Sequence, residues 1–220
     1  MTDRAELPVV DPDELGLSGD ARETADRPTV GGVVLAAGTS SRFGDENKLL
    51  AQINEKPLVR HAVGTLVDSG LDPVVVVTGY EAAAVGAAVD AGPVSVVTTP
   101  EYTEGQSASV RAGANAMADA QVDAAVFLPG DMPFVDPSTV RALVDAYVAG
   151  AGDALASAYR GRRGNPVLFD RRHFDALRAL EGDVGGREVL IGSDDAALVA
   201  VADRGVRIDI DTKATLRDHR

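Results

Sequence analysis

The sequence contains no cysteine and no tryptophan, and aromatic residues make up only 4% of its 220 positions. The lack of cysteine excludes a disulfide scaffold, a thiolate metal site and a cysteine nucleophile. No apolar run approaches the ~18 residues that a membrane-spanning helix needs. The acidic start of the chain also lacks the apolar segment of a signal peptide. We therefore expect a cytoplasmic protein without a membrane partner.

Lysine is scarce as well, being present only as Lys48, Lys56 and Lys213, and the formal net charge is −13. A field of this sign repels a polyphosphate backbone, so we expect no nucleic-acid partner. An acid-rich, lysine-poor surface is typical of proteins from a salt-rich cytoplasm. The composition therefore favours a halophilic protein, and an ordinary acidic enzyme is the alternative.

Prolines, glycines and carboxylates without periodicity fill residues 1–29, which predicts a disordered acidic tail before a single domain over residues 30–220. In that domain, continuous apolar runs alternate with helix-like segments. Such runs are typical of strands buried on both faces of a parallel sheet. The alternation predicts an α/β three-layer sandwich with a mostly parallel, Rossmann-like sheet. Strands are expected at 31–37, 73–78, 94–98 and 124–128, and helices at 57–69, 81–90, 107–119 and 137–149.

The pattern changes after residue 149. Segments 153–159 and 165–169 predict two strands joined by a basic turn. Two short helices are expected next, then strands near 198–202 and 206–210, and a final short helix. No second domain with its own core is predicted.

A segment rich in glycine and serine leaves the first predicted strand, where open parallel sheets bind ligands. Small residues there let backbone N–H groups approach an anion closely. Arg42 and Lys48 add full positive charge. Neither of the two common phosphate-binding glycine motifs is present. A glycine-rich turn with two solvated bases is the alternative. The candidate anion-binding residues of this segment are Leu35, Ala36, Ala37, Gly38, Ser40, Ser41, Arg42 and Lys48.

Carboxylates follow two other predicted strands. Asp131 comes after Gly130, where it can hold Mg²⁺, whereas Asp136 already fits the role of a helix N-cap. Asp209 and Asp211 are two residues apart, so in a strand both point to one face and can converge on a cation. The alternative is that Asp211 caps the last helix and Asp209 is a surface residue. Of the two, we favour Asp209 as the metal ligand.

Further candidates lie on the substrate side. Gly105, Gln106 and Ser107 begin a predicted helix, and Gln106 is suited to contact a base or a ribose. Asn165, Asp183 and Arg187 lie in the irregular C-terminal part. Arg187 is a candidate for binding an anionic acceptor, as are three arginines of the basic turn, for which a solvated turn is the equal alternative: Arg160, Arg162 and Arg163. Three histidines have no ligand spacing and are expected to be ordinary helix or surface residues: His61, His173 and His219.

Six motifs occur in order: LAAGTSSRFG-x3-K, GQSAS, GDMP, GNPVLF, GDVGGR and DIDT. Together they closely resemble the MobA-like nucleotidyltransferases, and most of all the molybdenum cofactor cytidylyltransferase branch. The likeness covers about residues 31–218 and implies a fold like that of the nucleotide-diphospho-sugar transferases.

The resemblance assigns roles to these residues. The segment from 35 to 48 would bind the triphosphate, which Arg42 and Lys48 neutralise. Asp131 would hold the catalytic Mg²⁺, with a second carboxylate from Asp209 or Asp211. The chain lacks the Pro-Glu-Asp that often follows the last motif, so the choice between the two stays open. In this family two alanines after the first leucine accompany CTP and two glycines accompany GTP, and this sequence has the alanines.

The implied reaction is Mg²⁺-dependent transfer of CMP from CTP to the phosphate of molybdopterin, with release of pyrophosphate. Such a reaction needs alignment and charge stabilisation and no protein nucleophile. A molybdoenzyme that receives the product would be a transient partner. A sugar phosphate, phospholactate or alcohol phosphate as acceptor is the alternative, as is a GTP-using MobA-type activity. Rivals from other classes are a dinucleotide-binding oxidoreductase and a non-catalytic nucleotide sensor.

Overall fold

The apolar runs of the sequence form one eight-stranded sheet in the computed structural model, which describes residues 7–12, 15, 27–44, 46–90 and 92–219. Within this part of the chain the strands are β1 (Val9–Val10), β2 (Val30–Ala36), β3 (Gln52–Ile53), β4 (Lys56–Pro57), β5 (Val74–Thr78), β6 (Ser95–Thr98), β7 (Ala124–Pro129), β8 (Ala154–Tyr159), β9 (Arg162–Asp170) and β10 (Ala196–Ala200). The α-helices of the same part are α1 (Leu58–Asp68), α2 (Ala82–Val89), α3 (Gln106–Asp119), α4 (Pro137–Val148), α5 (Phe174–Arg178), α6 (Arg187–Gly192) and α7 (Lys213–Asp218).

The sheet is mostly parallel, with the strand order β1-β10-β8-β9-β7-β2-β5-β6. Of the described strands in this sheet, only β9 runs antiparallel to its neighbours, which are β7 and β8. The short β3 and β4 form a separate antiparallel pair. The predicted α/β fold with a mostly parallel sheet is confirmed, and the predicted strands and helices up to residue 149 lie within one or two residues of the observed ones.

Alternate residues of each central strand enter opposite cores. Val34 of β2 packs with apolar residues of α1, α2 and α4, whereas Val33 packs with those of α3, α5 and α6. Both valines are fully buried. Helices therefore cover the two faces of the sheet, which explains why the strands read as continuous apolar runs. No helix in the described part of the chain has the length and apolar character needed to cross a membrane.

Local chemistry fixes the helix ends near the sheet. Asp136 is the N-cap of α4, accepting a hydrogen bond of 2.7 Å from the backbone N–H of Ser138, as the sequence predicts. Gly113 of α3 lies directly on β2, because a Cβ there would be 2.5 Å from Cγ1 of Val33. This close contact brings the helix that starts at Gln106 against the central strand.

The C-terminal part contains the expected hairpin, formed by β8 and β9. The strand predicted over 206–210 is wrong. Residues Arg204–Arg207 form a 3-10 turn, started by the Asp203 side chain, which accepts from the backbone N–H of Gly205. Val206 and Ile210 are both fully buried. Their apolar character therefore reflects packing and not strand pairing.

The expected tail over residues 1–29 lies largely outside the described residues. Its described part departs from the prediction of disorder, because Val9–Val10 form β1 at the edge of the sheet. This strand pairs in parallel with Leu198 and Val199 of β10. Backbone pairing offsets the weak apolar character of so short a segment.

Candidate active site

Loops that follow β2, β6 and β7 border a cleft of about 550 Å³ at the carboxyl edge of the sheet. This is the edge where parallel α/β sheets bind ligands. The predicted site residues that line the cleft are Leu35, Ala37, Gly38, Ser40, Ser41, Arg42, Lys48, Gly105, Gln106, Asp131, Asp183 and Asp211. Most of the candidates, although spread over 177 positions of the sequence from Leu35 to Asp211, therefore meet in one place.

The loop after β2 is held in shape by side-chain to backbone hydrogen bonds. The Ser40 hydroxyl accepts from the backbone N–H of Lys48 at 3.1 Å, and its own backbone has a positive φ of 57°. The Asn47 carboxamide oxygen accepts from the N–H of Leu49 at 3.0 Å. These contacts start the 3-10 turn Lys48–Leu50 and aim the Lys48 side chain into the cleft.

Four charged side chains form a chain of ion pairs in the cleft. The Lys48 ammonium nitrogen lies 2.5 Å from Oδ2 of Asp131 and 2.6 Å from Oδ1 of Asp211. The other oxygen of Asp211 lies 2.9 Å from the Arg42 guanidinium. The two cations and two carboxylates predicted from separate motifs thus share one network.

Burial and neighbouring charge shift the pKa values of this network. Burial by itself would lower the pKa of Lys48, but the charges and hydrogen bonds of Asp131 and Asp211 raise it above its ordinary value. For Asp211 the effects have the opposite sign. Burial would raise its pKa, but Lys48 and Arg42 hold the pKa below the usual range. The pKa of Asp209 is raised by burial and by the negative charges of Asp211 and Asp131. Negative charge is therefore in excess where Asp209 faces the pair.

The segment 209–211 is tied to the loop after β7, since the backbone N–H of Ile210 donates to the carbonyl of Asp131 at 2.9 Å. Asp209 and Asp211 line the same face, as their spacing predicts, although they lie outside any strand. Thr212 caps α7 by accepting from the N–H of Thr215. The alternative role of Asp211 as the helix cap is therefore wrong.

The start of α3 meets the loop around Asp183. The Asp183 carboxylate accepts from the backbone N–H of Gln106 at 3.3 Å. The Gln106 carboxamide lies against Gly185, where a Cβ would be 2.5 Å from its oxygen. Gly105 has a φ of 111° and leaves room for the backbone of Gly182 and Asp183. Asp183, expected on the acceptor side, thus also organises the helix start beside Gln106.

Two more clefts adjoin the first. One, of about 380 Å³, is lined by the predicted acceptor residues Asn165, Asp183 and Arg187, and also by Arg163. The other, of about 590 Å³, contains Asn165 and Arg163 together with Asp131, Asp209 and Asp211. The carboxylates therefore lie between the loop after β2 and the C-terminal candidates.

Three predicted residues are not among those that line these clefts. Ala36 is buried in the core beneath the sheet edge. The Ser107 hydroxyl is buried and accepts from Arg111 at 3.1 Å. The Gly130 N–H donates to the carbonyl of Leu35 at 2.9 Å, which closes the end of β7 on the end of β2. These positions support the cleft from behind.

Other candidates have structural contacts. Arg160 stacks on the ring of Tyr159 at 5.1 Å, and Arg162 is exposed. His61 contacts the carbonyl of Ile53 at 2.9 Å, and His173 contacts the Asp153 carboxylate at 2.8 Å. His61 lies on α1, in agreement with the expectation of an ordinary helix residue.

Sequence reasoning missed several lining residues. Tyr102, Thr103 and Ser109 border the first cleft, and Arg207 borders the third. Tyr102 and Thr103 follow β6, so their place after a strand end was an available signal. Arg207 carried no signal, because the segment around it was assigned to a strand.

The site residues fit a divalent cation by their chemistry. Asp131, Asp209 and Asp211 line one cleft and offer carboxylate oxygens, the ligands that Mg²⁺ prefers. The described residues contain no group of three or more His, Cys, Asp or Glu side chains arranged to hold a metal ion. The ammonium of Lys48 bridges two of these carboxylates.

Comparisons with known proteins identify relatives over most of the chain. The chain is 33% identical over 171 residues to nicotine blue oxidoreductase of Paenarthrobacter nicotinovorans, covering 75% of this chain and 83% of that one. It is 32% identical over 197 residues to the purine catabolism protein PucB of Bacillus subtilis, and this match covers 84% of this chain and 93% of PucB.

Among solved structures, Rv0371c of Mycobacterium tuberculosis matches with a TM-score of 0.72 and 29% identity, over 87% of this chain and 97% of that one. Another structure of that protein is a complex with manganese. The family model of the MobA-like NTP transferase domain matches residues 32–200, a stretch that includes Arg42, Lys48 and Asp131. The chain therefore belongs to the MobA-like NTP transferases, a family of nucleotidyltransferases.

Proposed function

We propose that this protein transfers CMP from CTP to the phosphate of molybdopterin, in a reaction that depends on Mg²⁺. An acceptor phosphate oxygen forms a bond to the α-phosphorus of CTP, and the bond between the α-phosphorus and the bridging oxygen breaks. Pyrophosphate leaves with that electron pair. The observation that carries the proposal is the ion-pair network of Arg42, Lys48, Asp131 and Asp211, which faces the loop after β2.

The reaction needs no nucleophile from the protein, because the attacking phosphate oxygen and the leaving group are already anionic. Backbone N–H groups of the loop 37–41 would hold the triphosphate, and Arg42 and Lys48 would offset its charge. Asp131 would hold the metal, with Asp211 or Asp209 as a second ligand. When bound, the metal supplies Lewis-acid stabilisation of the phosphate oxygens.

CTP as the donor is supported by the two alanines at positions 36 and 37, which accompany CTP in the family that the sequence resembles. Ala37 lines the cleft just beyond β2, where a Cβ added at Gly79 would lie 2.8 Å from the Ala37 Cβ. The chain is also 35% identical over 99 residues to a 3-deoxy-manno-octulosonate cytidylyltransferase of Methylobacterium, although that match covers only 44% of this chain. We propose CTP over GTP on these grounds.

The acceptor is proposed from the family resemblance. A sugar phosphate, phospholactate or alcohol phosphate would use the same donor half. A second candidate function, dinucleotide-dependent oxidoreduction, is favoured only by the name of the relative from Paenarthrobacter. The dinucleotide glycine motif is absent from this chain.

The test is a pyrophosphate-release assay with CTP, GTP and ATP, each with and without molybdopterin. It is run in concentrated KCl, because we also propose that the acidic surface is an adaptation to a salt-rich cytoplasm. Release with CTP that depends on molybdopterin supports the proposal. Release with GTP alone, or only with another phosphorylated acceptor, overturns that part of it. Oxidation of NAD(P)H without pyrophosphate release would establish the rival function instead.

Asp131→Ala is the variant that tests the metal assignment. Loss of one such contact lowers the turnover rate by about 100-fold or more. Asp175→Ala is the matched control, since that carboxylate side chain is 95% exposed. A variant at position 131 that keeps more than about a tenth of the wild-type rate would refute the assignment.

A further inference from the structure

Three arginines meet at the boundary of the second and third clefts. Arg163 lies on β9, Arg187 begins α6, and Arg207 ends the 3-10 turn. Arg163 and Arg187 line the cleft of about 380 Å³. Arg163 and Arg207 line the cleft of about 590 Å³, which also contains Asp131 and Asp211. Arg163 therefore faces both spaces.

None of the three guanidinium groups forms an ion pair with a carboxylate of the described residues. Within this group of arginines, the Arg207 guanidinium donates to the backbone carbonyl of Arg163 at 2.7 Å. Burial and the charges of Arg187 and Arg207 lower the pKa of the Arg163 guanidinium. Three arginine charges that repel one another are unexpected in a chain of net charge −13 unless an anion binds between them.

The smaller cleft is lined by apolar as well as polar side chains. Phe127 and Phe169 line the smaller cleft with their rings 6.0 Å apart in an edge-to-face arrangement, and Val110 and Val167 border it too. A ligand that fills this space needs an apolar body as well as an anionic group. Inorganic anions satisfy only one of these two requirements.

We propose that Arg163, Arg187 and Arg207 form an anion subsite for a phosphate monoester whose organic part is partly apolar. That this ligand is the acceptor of the transfer reaction rests on the proposed function. The subsite is separate from the loop 37–41, which would hold the triphosphate of the donor. Arg163, placed between the two clefts, positions the phosphate toward the Asp131 side.

The experiment measures binding to the whole protein without turnover. Phenyl phosphate, inorganic phosphate and phenol are titrated calorimetrically, and CTP is titrated separately. We expect phenyl phosphate to bind more tightly than either of the other two probes. Equal binding of phenyl phosphate and inorganic phosphate would overturn the apolar part of the proposal. No binding of phenyl phosphate would overturn the subsite.

Charge is tested with Arg163→Gln and Arg207→Gln, each of which removes a charge-assisted hydrogen-bond donor. We expect each variant to weaken phenyl phosphate binding about tenfold. Arg178→Gln is the control, because its guanidinium pairs with Asp175 at 3.3 Å and Arg178 is not among the cleft residues. Arg207 is exposed, so its variant keeps the fold even if the half-buried position 163 does not tolerate glutamine.

Titration with CTP distinguishes a subsite for the donor triphosphate from a subsite for a separate phosphate monoester. Unchanged CTP binding in both variants, with weakened phenyl phosphate binding, supports a subsite separate from the donor. An equal loss for CTP would assign the arginines to the donor triphosphate and overturn the proposal. A protein that binds phenyl phosphate in this way but transfers no CMP would refute the proposed function alone.

Discussion

The ammonium nitrogen of Lys48 lies 2.5 Å from Oδ2 of Asp131, at the centre of the candidate site. The same nitrogen also contacts Asp211 at 2.6 Å, so a single cation balances two carboxylates. A divalent cation and this ammonium would compete for the same oxygens.

Lys48→Met removes that competition. We expect the variant to bind Mn²⁺ in the absence of nucleotide about tenfold more tightly than the wild type, because two carboxylates lose their counter-ion. Nucleotidyl transfer should fall by about 100-fold, because a positive charge that would offset the triphosphate is gone. Calorimetry with Mn²⁺ measures the first effect, and pyrophosphate release measures the second.

Lys56→Met is the control for this change, since Lys56 lies on β4, away from the cleft residues. It should leave both quantities unchanged. Identical Mn²⁺ affinity in Lys48→Met and the wild type would contradict the competition.

Asp211 and Asp209 should differ in their contribution. Asp211→Asn weakens the contacts with both Lys48 and Arg42, whereas Asp209→Asn leaves them in place. We expect the rate of nucleotidyl transfer to fall at least about tenfold further in Asp211→Asn. A larger loss in Asp209→Asn would make Asp209 the second metal ligand. Steady-state assays at saturating Mg²⁺ compare the two.

Gly105 should resist substitution for two reasons. Its φ of 111° is unfavourable for other residues, and a Cβ would lie 2.7 Å from the Cα of Asp183. Gly150 has a φ of 77° but no atom within 4 Å of such a Cβ. Gly105→Ala should therefore lower the melting temperature more than Gly150→Ala and also weaken CTP binding. Equal effects of the two variants would show that the contact with Asp183 does not matter.

Asp136→Ala should cost stability without affecting the reaction. Loss of the N-cap hydrogen bond to Ser138 destabilises the fold by about 1 kcal/mol. For a protein of this size, that corresponds to a decrease of roughly 2–4 °C in Tm. Thermal unfolding measures the change, with Asp175→Ala as the exposed control. A loss of nucleotidyl transfer in Asp136→Ala would be inconsistent with a purely structural role.

Acid should destabilise the protein partly through Asp153. Burial alone would raise the pKa of this carboxyl, but hydrogen bonds from Ser193 and His173 and the charges of His173 and Arg172 hold it below its ordinary value of 3.8. A carboxyl with a lowered pKa stabilises the fold above its ordinary pKa, and this stabilisation is lost as the pH falls through the folded value.

Urea unfolding at several pH values tests this linkage. Asp153→Asn should be less stable than the wild type at neutral pH, and the difference should shrink between about pH 5 and about pH 2. A difference that stays constant over this range would indicate that the Asp153 charge is not responsible.

The central sheet could be predicted because valine-rich strands of the parallel type are distinct from the amphipathic helices between them. Val33 and Val34 enter opposite cores, so both had to be apolar. The segment 206–210 could not be assigned in the same way. Val206 and Ile210 are buried by a 3-10 turn and a loop, which leave the same apolar spacing as a strand.

Arg42, Lys48 and Asp131 could be found because each follows a predicted strand and has no structural role in the sequence pattern. The ion pairs that form within the site could not be predicted from the sequence. Nothing in the order of residues indicates that Asp211 joins Lys48 to Arg42, because that contact depends on how the loop after the 3-10 turn meets β7.

The antiparallel strand β9 joins β7, which ends beside Asp131, to β8 and β10 of the C-terminal half. Removing residues after 150 would expose the edge of β7 and leave its core uncovered, so the two halves of the sheet depend on each other for folding.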